Sequence, residues 1–195
     1  LNAGTVSDCF NTGPVSNIGA EGSKDGIGGV VGYALSTTAT PSVIRNCYNT
    51  GAVTGTGIQC GGVAGSAVTC IISNCSNTGS VSGLNSVGGV AGYMHTCTAS
   101  NCYNIGSVSG INNYVGGVAG EAISCTIGNC YNTGVIKGDQ NVGGVAGDIS
   151  SYGSVSGTIQ NCYNTGTVNG NQKVGGITGW ELGVGGWFSP GTVSS

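Results

Sequence analysis

Apolar residues along this chain stand singly or in short clusters of Val and Ile, and Gly, Asn, Ser and Thr separate them every few positions. No stretch has the 3.6-residue apolar spacing that marks an amphipathic helix. Short β-branched clusters between turn-forming residues are typical of strands of three to five residues. The pattern therefore predicts an all-β protein.

The same succession of short elements returns six times. The clearest copy reads NCYNIGSVSGINNYVGGVAG at 101–120, and its Gly-Gly pair has counterparts beginning at positions 28, 61, 88, 143 and 175. The spacing gives a unit of about 27 residues, and such self-similarity indicates a repeat architecture. A unit of two or three short strands cannot enclose a core alone, so it must stack on the next unit. We predict a parallel β-solenoid (β-helix) of about six coils, a single domain over 1–195 with partial repeats at 1–7 and 180–195.

Stacking predicts that equivalent residues form columns along the solenoid axis. Two apolar columns are expected to point inwards: Val15, Val53, Val81, Val108, Ile136 and Val168, and Val30, Val63, Val90, Val118, Val145 and Ile177. A third column is Asn in every copy, and stacked amides can bond to one another as in cross-β assemblies. We expect this structural asparagine ladder to consist of Asn11, Asn49, Asn77, Asn104, Asn132 and Asn164. Asn at a corner can also adopt a left-handed backbone conformation.

Ten cysteines in 195 residues are many for a reducing cytoplasm. One Cys precedes the aromatic position in each copy, and three copies add a second Cys five residues earlier. The spacing does not resemble a zinc site. Because the upstream Cys never occurs without its partner, we predict disulfides Cys70–Cys75, Cys97–Cys102 and Cys125–Cys130. The alternative is that Cys serves as a small buried core residue with a free thiol.

The composition argues against nucleic-acid binding and membrane insertion, and the chain ends suggest a mode of assembly. Only 6% of residues are charged and the net charge is −3, so no basic patch is available for nucleic acid. No apolar run reaches the ~18 residues of a membrane span, and no membrane insertion is expected. Residues 2–7 align with 77–82, and 187–194 align with 162–169. We therefore expect a processed product or a segment of a longer array, whose ends can continue one another in head-to-tail assembly.

The residues offer little for catalysis. Glu121, Asp148 and Glu181 follow the Gly-Val-Ala-Gly-type tetrads and are predicted to share a column, as a β-helix polysaccharide enzyme would require. Other residues hold this place in the remaining copies, so solvated loop charge is the preferred interpretation. The single His, His95, lies near Cys97 without an orienting Asn or Asp. We expect no enzyme, no metal site and no cofactor.

An aromatic column is expected to point outwards. It contains Phe10, Tyr48, Tyr103, Tyr131, Tyr163 and Phe188, and Ser76 interrupts it. Tyr48, Tyr103, Tyr131 and Tyr163 are candidate contacts for a glycan or a partner protein. The alternative is stacking between coils without a ligand. A neighbouring Thr column is broken by Ile105 and is too irregular to favour an ice-binding protein.

Six tetrads of the form G-V-[AV]-G or G-I-T-G, each linked to an NCYNTG-x-V-x-G-like element, resemble the GLUG repeat family; the tetrads lie at 29–32, 62–65, 89–92, 117–120, 144–147 and 176–179. GLUG repeats occur in large secreted and surface-anchored bacterial proteins, in adhesin-like proteins and in non-catalytic regions of some immunoglobulin A peptidases. The resemblance, which covers nearly all of 1–179, implies an extracellular structural or adhesive module of a bacterial surface, such as a rigid stalk or fibre segment. Its expected partners are itself or a glycan or protein of a host or cell surface. The zinc motif of the peptidases (H-E-x-x-H) has no counterpart here.

Overall fold

The computed structural model describes residues 2–17, 26–37, 39–182 and 192–194. Every regular element in these ranges is a strand. In chain order the strands are β1 (Thr5–Ser7), β2 (Phe10–Asn11), β3 (Val15–Ser16), β4 (Gly26–Gly28), β5 (Val31–Leu35), β6 (Ser42–Arg45), β7 (Tyr48–Asn49), β8 (Val53–Thr54), β9 (Gln59–Gly61), β10 (Ala64–Val68), β11 (Cys70–Ser73), β12 (Ser76–Asn77), β13 (Val81–Gly83), β14 (Val87–Gly88), β15 (Ala91–His95), β16 (Thr98–Ser100), β17 (Tyr103–Asn104), β18 (Val108–Gly110), β19 (Asn113–Gly116), β20 (Ala119–Ile123), β21 (Thr126–Gly128), β22 (Tyr131–Asn132), β23 (Ile136–Lys137), β24 (Gln140–Gly143), β25 (Ala146–Ser150), β26 (Thr158–Gln160), β27 (Tyr163–Asn164), β28 (Val168–Asn169), β29 (Gln172–Gly175), β30 (Thr178–Leu182) and β31 (Thr192–Ser194).

Each strand pairs in parallel with the strand five places along the chain, so five strands make one coil. We number the five sheets by the strand that begins them: the first sheet runs from β1 to β31 through every fifth strand, and the second, third, fourth and fifth run from β2, β3, β4 and β5 to β27, β28, β29 and β30. Equivalent residues pair in register, as in Val81 with Val108. The predicted all-β parallel solenoid of about six coils is confirmed. The described residues include no helix of the length and apolarity needed to cross a membrane.

The corners between the first and second sheets are made by the Asn of each Asn-Cys dipeptide. Asn46, Asn74, Asn101, Asn129 and Asn161 all have φ of 52–53°. Asn tolerates this left-handed conformation better than most residues, because its short side chain bonds locally. The asparagines of the predicted ladder have no positive φ and lie in the strands of the second sheet instead. The two Asn columns of the repeat therefore have separate tasks.

Two apolar clusters fill the interior. The larger one lies between the first, second and fifth sheets and includes the column through Val63, Val90, Val118 and Val145. The smaller one lies under the third and fourth sheets and includes the column through Val53, Val81, Val108 and Ile136. These interior members are buried, and each such side chain contributes roughly 1.5–3 kcal/mol relative to exposure. Both columns therefore point inwards, as expected.

The chain ends occupy a different register from the one the sequence suggested. β1 pairs with β6, which places Val6 beside Ile44 in the first sheet and not in the Val81 column. β31 likewise pairs with β26 and places Val193 beside Ile159. The alignments of 2–7 with 77–82 and of 187–194 with 162–169 are therefore wrong, and 187–191, with Phe188, lie outside the described residues. The error arises because a three-residue Thr-Val-Ser segment fits two different strands of the repeat.

Candidate functional site

The asparagine ladder is a continuous chain of hydrogen bonds along the axis. Each Nδ2 donates to Oδ1 of the next Asn, at 2.7 Å from Asn11, 2.8 Å from Asn49, 2.8 Å from Asn77, 2.7 Å from Asn104 and 2.8 Å from Asn132. Each Nδ2 also donates to the carbonyl oxygen of the Gly two residues later, as in Asn104 to Gly106 at 2.6 Å. The four interior asparagines are fully buried. Their amides are occupied by the fold and cannot take a ligand.

The second Gly of the Gly-Gly pair belongs to the same packing unit as the ladder. A Cβ added to Gly89 would collide with Cγ of Asn104 and with the carbonyl oxygen of Gly117. Gly62 stands in the same relation to Asn77. Any side chain at this position would push the amide out of its ladder, so the paired Gly and the Asn recur together for one structural reason.

The structure contains ten free thiols and no disulfide within the C-x4-C pairs, which corrects the predicted bridges Cys70–Cys75, Cys97–Cys102 and Cys125–Cys130. A strand separates the two cysteines of a pair; β11, for example, runs from Cys70 to Ser73 before the corner at Asn74. Three steps along that strand span about 10 Å. A disulfide needs Cα atoms within about 7 Å. For the six cysteines of the C-x4-C pairs, the structure agrees with the alternative of a buried core residue with a free thiol.

The thiols contact their equivalents in neighbouring coils. The backbone N–H of Cys97 donates to Sγ of Cys125 at 3.3 Å, and that of Cys102 to Sγ of Cys130 at 3.4 Å. Burial raises the pKa of the Cys60 thiol to about 11 and that of Cys70 to about 12. A protonated thiol is a poor nucleophile, so these two side chains serve packing.

The aromatic column is a stack of rings on the outside of the second sheet. Ring centroids are 5.1 Å apart for Phe10 and Tyr48, 5.0 Å for Tyr103 and Tyr131, and 4.9 Å for Tyr131 and Tyr163, with planes within 5° of parallel. Tyr48 is 42% and Tyr163 52% exposed. The rings turn their faces towards one another, which is the stacking between coils that the sequence left as the alternative to a ligand.

The carboxylate column contains two of the three predicted members. Glu121 and Asp148 pair in register in the fifth sheet, but Trp180 pairs with Asp148, and Glu181 pairs with Ile149. Glu181 is therefore outside the column, which corrects the prediction. The cause is one extra residue, Trp180, between the tetrad and the acid. A strand reverses its facing side at every residue, so a shift of one removes the carboxylate from this face.

Glu121 and Asp148 form a largely buried acidic pair. Asp148 is 5% exposed, and its Oδ1 has no hydrogen-bond partner. Burial, with a smaller contribution from the Glu121 charge, raises the pKa of Asp148 to about 7. Glu121 accepts a 2.8 Å hydrogen bond from Oγ of Ser86, and burial raises its pKa. The pair can hold a proton near neutral pH, but its burial leaves little access for a substrate.

Several neighbours of this pair were not expected from the sequence. Burial, and then the Glu121 charge, raise the pKa of Tyr93 to about 12. Nζ of Lys173 lies 3.4 Å from the centroid of the Trp180 ring, a cation–π contact between the consecutive strands β29 and β30 of one coil. Such contacts depend on neighbours that differ from copy to copy, so the repeat pattern carries no signal for them.

His95 packs edge-on against Tyr152 at 5.9 Å. No group of three or more His, Cys, Asp or Glu in the described ranges is arranged to hold a metal ion.

Comparison with known proteins identifies a family motif that this chain resembles. Residues 26–54 match the family model of the GLUG motif. Over this segment the chain is similar to the GLUG motif. The resemblance drawn from the tetrads is thereby confirmed, and the other coils repeat the strands of the matched segment in register.

One solved structure shares the fold of this chain. It is the crystal structure of a "putative immunoglobulin A1 protease" from Bacteroides ovatus, with a TM-score of 0.60 and 20% sequence identity. The alignment covers 95% of this chain and 66% of that one, so this chain spans just under two thirds of its length. At this identity the likeness establishes the fold alone. A search of curated protein sequences gives no match.

Proposed function

We propose that this GLUG-containing chain is an extracellular module of a bacterial surface protein, with a structural and adhesive role. Its motif and solenoid fold are those of a structural repeat module. The observation that supports the proposal is that the residues repeated in every copy are used for contacts between coils. The ladder amides, the paired glycines and the inward Val columns all contact the neighbouring coil. A stalk is expected to have a repeated sequence whose conserved positions hold successive coils together. A catalyst instead needs one site whose residues differ from those of the other copies.

The residues that differ between copies support a non-catalytic role. The pair Glu121 and Asp148 is the strongest candidate for acid–base chemistry among the described residues, yet Asp148 is buried. Glu181, the third predicted carboxylate, pairs with Ile149 and leaves the column. We expect the purified protein to leave polysaccharide and immunoglobulin A substrates uncleaved. Cleavage that is lost in Asp148→Asn would contradict this part of the proposal.

The height of the solenoid bears on how it would act as a stalk. Six strands at a spacing of ~4.8 Å give a stack of roughly 29 Å, no taller than an ordinary small domain. A taller stalk therefore requires further coils in line with these six. We propose head-to-tail stacking of the first coil of one molecule on the sixth coil of another.

Both end coils present surfaces that fit such stacking. Phe10 is 63% and Tyr163 52% exposed, and among the described residues each ring stacks on one aromatic neighbour. Juxtaposed end coils would bring these two rings together and let Nδ2 of Asn164 donate to Oδ1 of Asn11. In the first sheet, β31 already lies beyond β26, where β1 of the next copy would pair. Assembly therefore requires β31 to give way.

A proline at the first edge tests assembly. The N–H of Thr50 donates to the carbonyl oxygen of Asn11, and Thr78 repeats this bond one coil further. The equivalent N–H of Thr12, in the first coil, points towards the open edge. Thr12→Pro removes this donor without removing a bond between the described coils, and Thr12→Ala is the matched control. In sedimentation velocity we expect concentration-dependent oligomers for the parent and Thr12→Ala, and fewer for Thr12→Pro. A parent that stays monomeric at all concentrations would rule out assembly.

The aromatic column is the surface best suited to adhesion. Its rings form a continuous ridge at Tyr103, Tyr131 and Tyr163, which is exposed at Tyr163 and partly buried at Tyr103 and Tyr131. A glycan stacked on ring faces would need those faces free, and within the ridge neighbouring rings cover them. Contact along the ring edges by a protein partner fits this geometry better. A glycan array and binding to host-cell proteins, each repeated with Tyr103→Ala plus Tyr131→Ala, distinguish the two; glycan hits that the double variant abolishes would favour the carbohydrate alternative.

A further inference from the structure

Over the described residues the aromatic column has one gap. Ser76 pairs in register with Tyr48 on one side and with Tyr103 on the other, in the second sheet. Every other junction in the column between described aromatic residues is filled by two stacked rings. At the gap, Tyr48 and Tyr103 each have one ring face without an aromatic neighbour.

The width of the gap follows from the strand spacing. Tyr48 and Tyr103 lie two strands apart, so equivalent atoms of the two residues are separated by about 10 Å. In the filled junctions the centroids are 4.9–5.1 Å apart. A ring inserted midway would therefore lie about 5 Å from each wall, the spacing at which this column already stacks its own rings. That distance lies within the range preferred by offset-stacked aromatic pairs.

We propose that the gap over Ser76, between Tyr48 and Tyr103, is a binding slot for one planar aromatic ring, such as a Tyr or Phe side chain of a partner protein. The shape argument favours a flat ring because the equivalent volume in the other coils is filled by one. Ser76 is only partly buried and Tyr48 is 42% exposed, so the slot opens to solvent. No charged residue belongs to the slot, and its walls are aromatic faces.

The slot deepens the proposed adhesive role and rests on it for its biological meaning. An aromatic side chain buried between two rings is the kind of anchor that dominates many protein–protein interfaces. A single free ring has few other contacts, so its affinity in this slot is weak, with a Kd of about 1–10 mM. A partner that presents such a ring on a folded surface would add contacts along the neighbouring ridge.

The test uses N-acetyl-tyrosinamide as the probe and solution NMR of the whole chain. Insertion between two rings places the ring protons of Tyr48 and Tyr103 in the ring current of the probe, so both sets should shift upfield and saturate together. Ser76→Tyr fills the slot and should abolish the shifts. Ser109→Tyr, at an exposed strand position of the third sheet, is the matched control and should leave them unchanged. Circular dichroism establishes that each variant is folded. If Ser76→Tyr does not fold, Tyr48→Ala removes one wall and should reduce binding at least tenfold.

Two outcomes would overturn the slot. One is the absence of any shift at Tyr48 and Tyr103 up to 100 mM probe; the other is saturable binding of N-acetylglucosamine at these rings without binding of the tyrosine probe. Neither outcome affects sedimentation of the parent, so the failure of the slot and the failure of the stacking proposal are distinguishable. Binding of the probe together with absent adhesion would retain the slot and remove its proposed role.

Discussion

Asn104, in the middle of the asparagine ladder, offers the sharpest perturbation of the coil stack. Its amide donates to Gly106 at 2.6 Å and to Asn132 at 2.7 Å, and its Oδ1 accepts from Asn77 at 2.8 Å. Asn104→Ala leaves these three buried partners each without one bond. An unsatisfied buried polar group costs about 1–3 kcal/mol, and Asn132 retains some compensation from other bonds. We therefore expect a loss of roughly 3–6 kcal/mol in the free energy of unfolding.

Thermal unfolding followed by circular dichroism measures this loss. For a domain of this size, 1 kcal/mol corresponds to about 2–4 °C in Tm, so the midpoint should fall by roughly 6–24 °C. Asn11→Ala is the matched control, because Asn11 lies at the end of the ladder, is partly exposed and makes a single bond between coils. The control should lose about 1–2 kcal/mol. Equal losses for the two variants, or no loss for Asn104→Ala, would refute the cooperative ladder.

Three further predictions address the core, the thiols and the acidic pair. Val118→Asp places an uncompensated charge at a fully buried position and should cost more than about 4 kcal/mol, whereas Ile111→Asp at an exposed loop should cost under about 0.5 kcal/mol in chemical denaturation. After unfolding without reductant, alkylation should modify all ten cysteines, as counted by intact mass; six unmodified cysteines would contradict the free thiols and agree in number with the three C-x4-C disulfides. Because the pKa of Asp148 is raised from 3.8 to about 7, the folded state holds this proton more tightly than the unfolded chain. The free energy of unfolding should therefore fall by up to about 4 kcal/mol as pH rises from about 4 to about 7, and level off above. Asp148→Asn should flatten this profile in pH-dependent denaturation, and an unchanged profile would contradict the assignment.

Columns were predictable from the sequence wherever the copies agree. In a parallel stack, residues at the same place in each repeat lie one strand apart. The partners of Asn104 and Val118 follow directly from the alignment, and so does the order of rings around Tyr131. The same reasoning located the break in the aromatic column at Ser76. It did not show that ring faces of Tyr48 and Tyr103 border this break, because that depends on the orientation of the rings.

Prediction failed where one copy of the repeat differs from the others, and where the length of a strand determines whether two residues can meet. One additional residue, Trp180, moves Glu181 out of the carboxylate column. The short Thr-Val-Ser segment at the start of the chain fits two sheets, and pairing with β6 settles that Val6 belongs to the first. The C-x4-C spacing suggested a bridge only while the intervening four residues were not known to be an extended strand with a corner after it. Those errors concern strand pairing and distances between residues in space, which an alignment of the repeats does not contain.

Removal of one coil tests most directly whether the chain is a stack of equivalent structural units. Deletion of 101–128 joins Ser100 to Asn129 and keeps the register, because β16 and β21 occupy the same place in successive coils. The shortened protein should retain a cooperative thermal transition and the β-sheet circular dichroism of the parent. Deletion of 101–114, half a coil, puts every later column out of register and should abolish the transition. If the whole-coil deletion unfolds as completely as the half-coil deletion, the account of this chain as a self-stacking structural module is wrong.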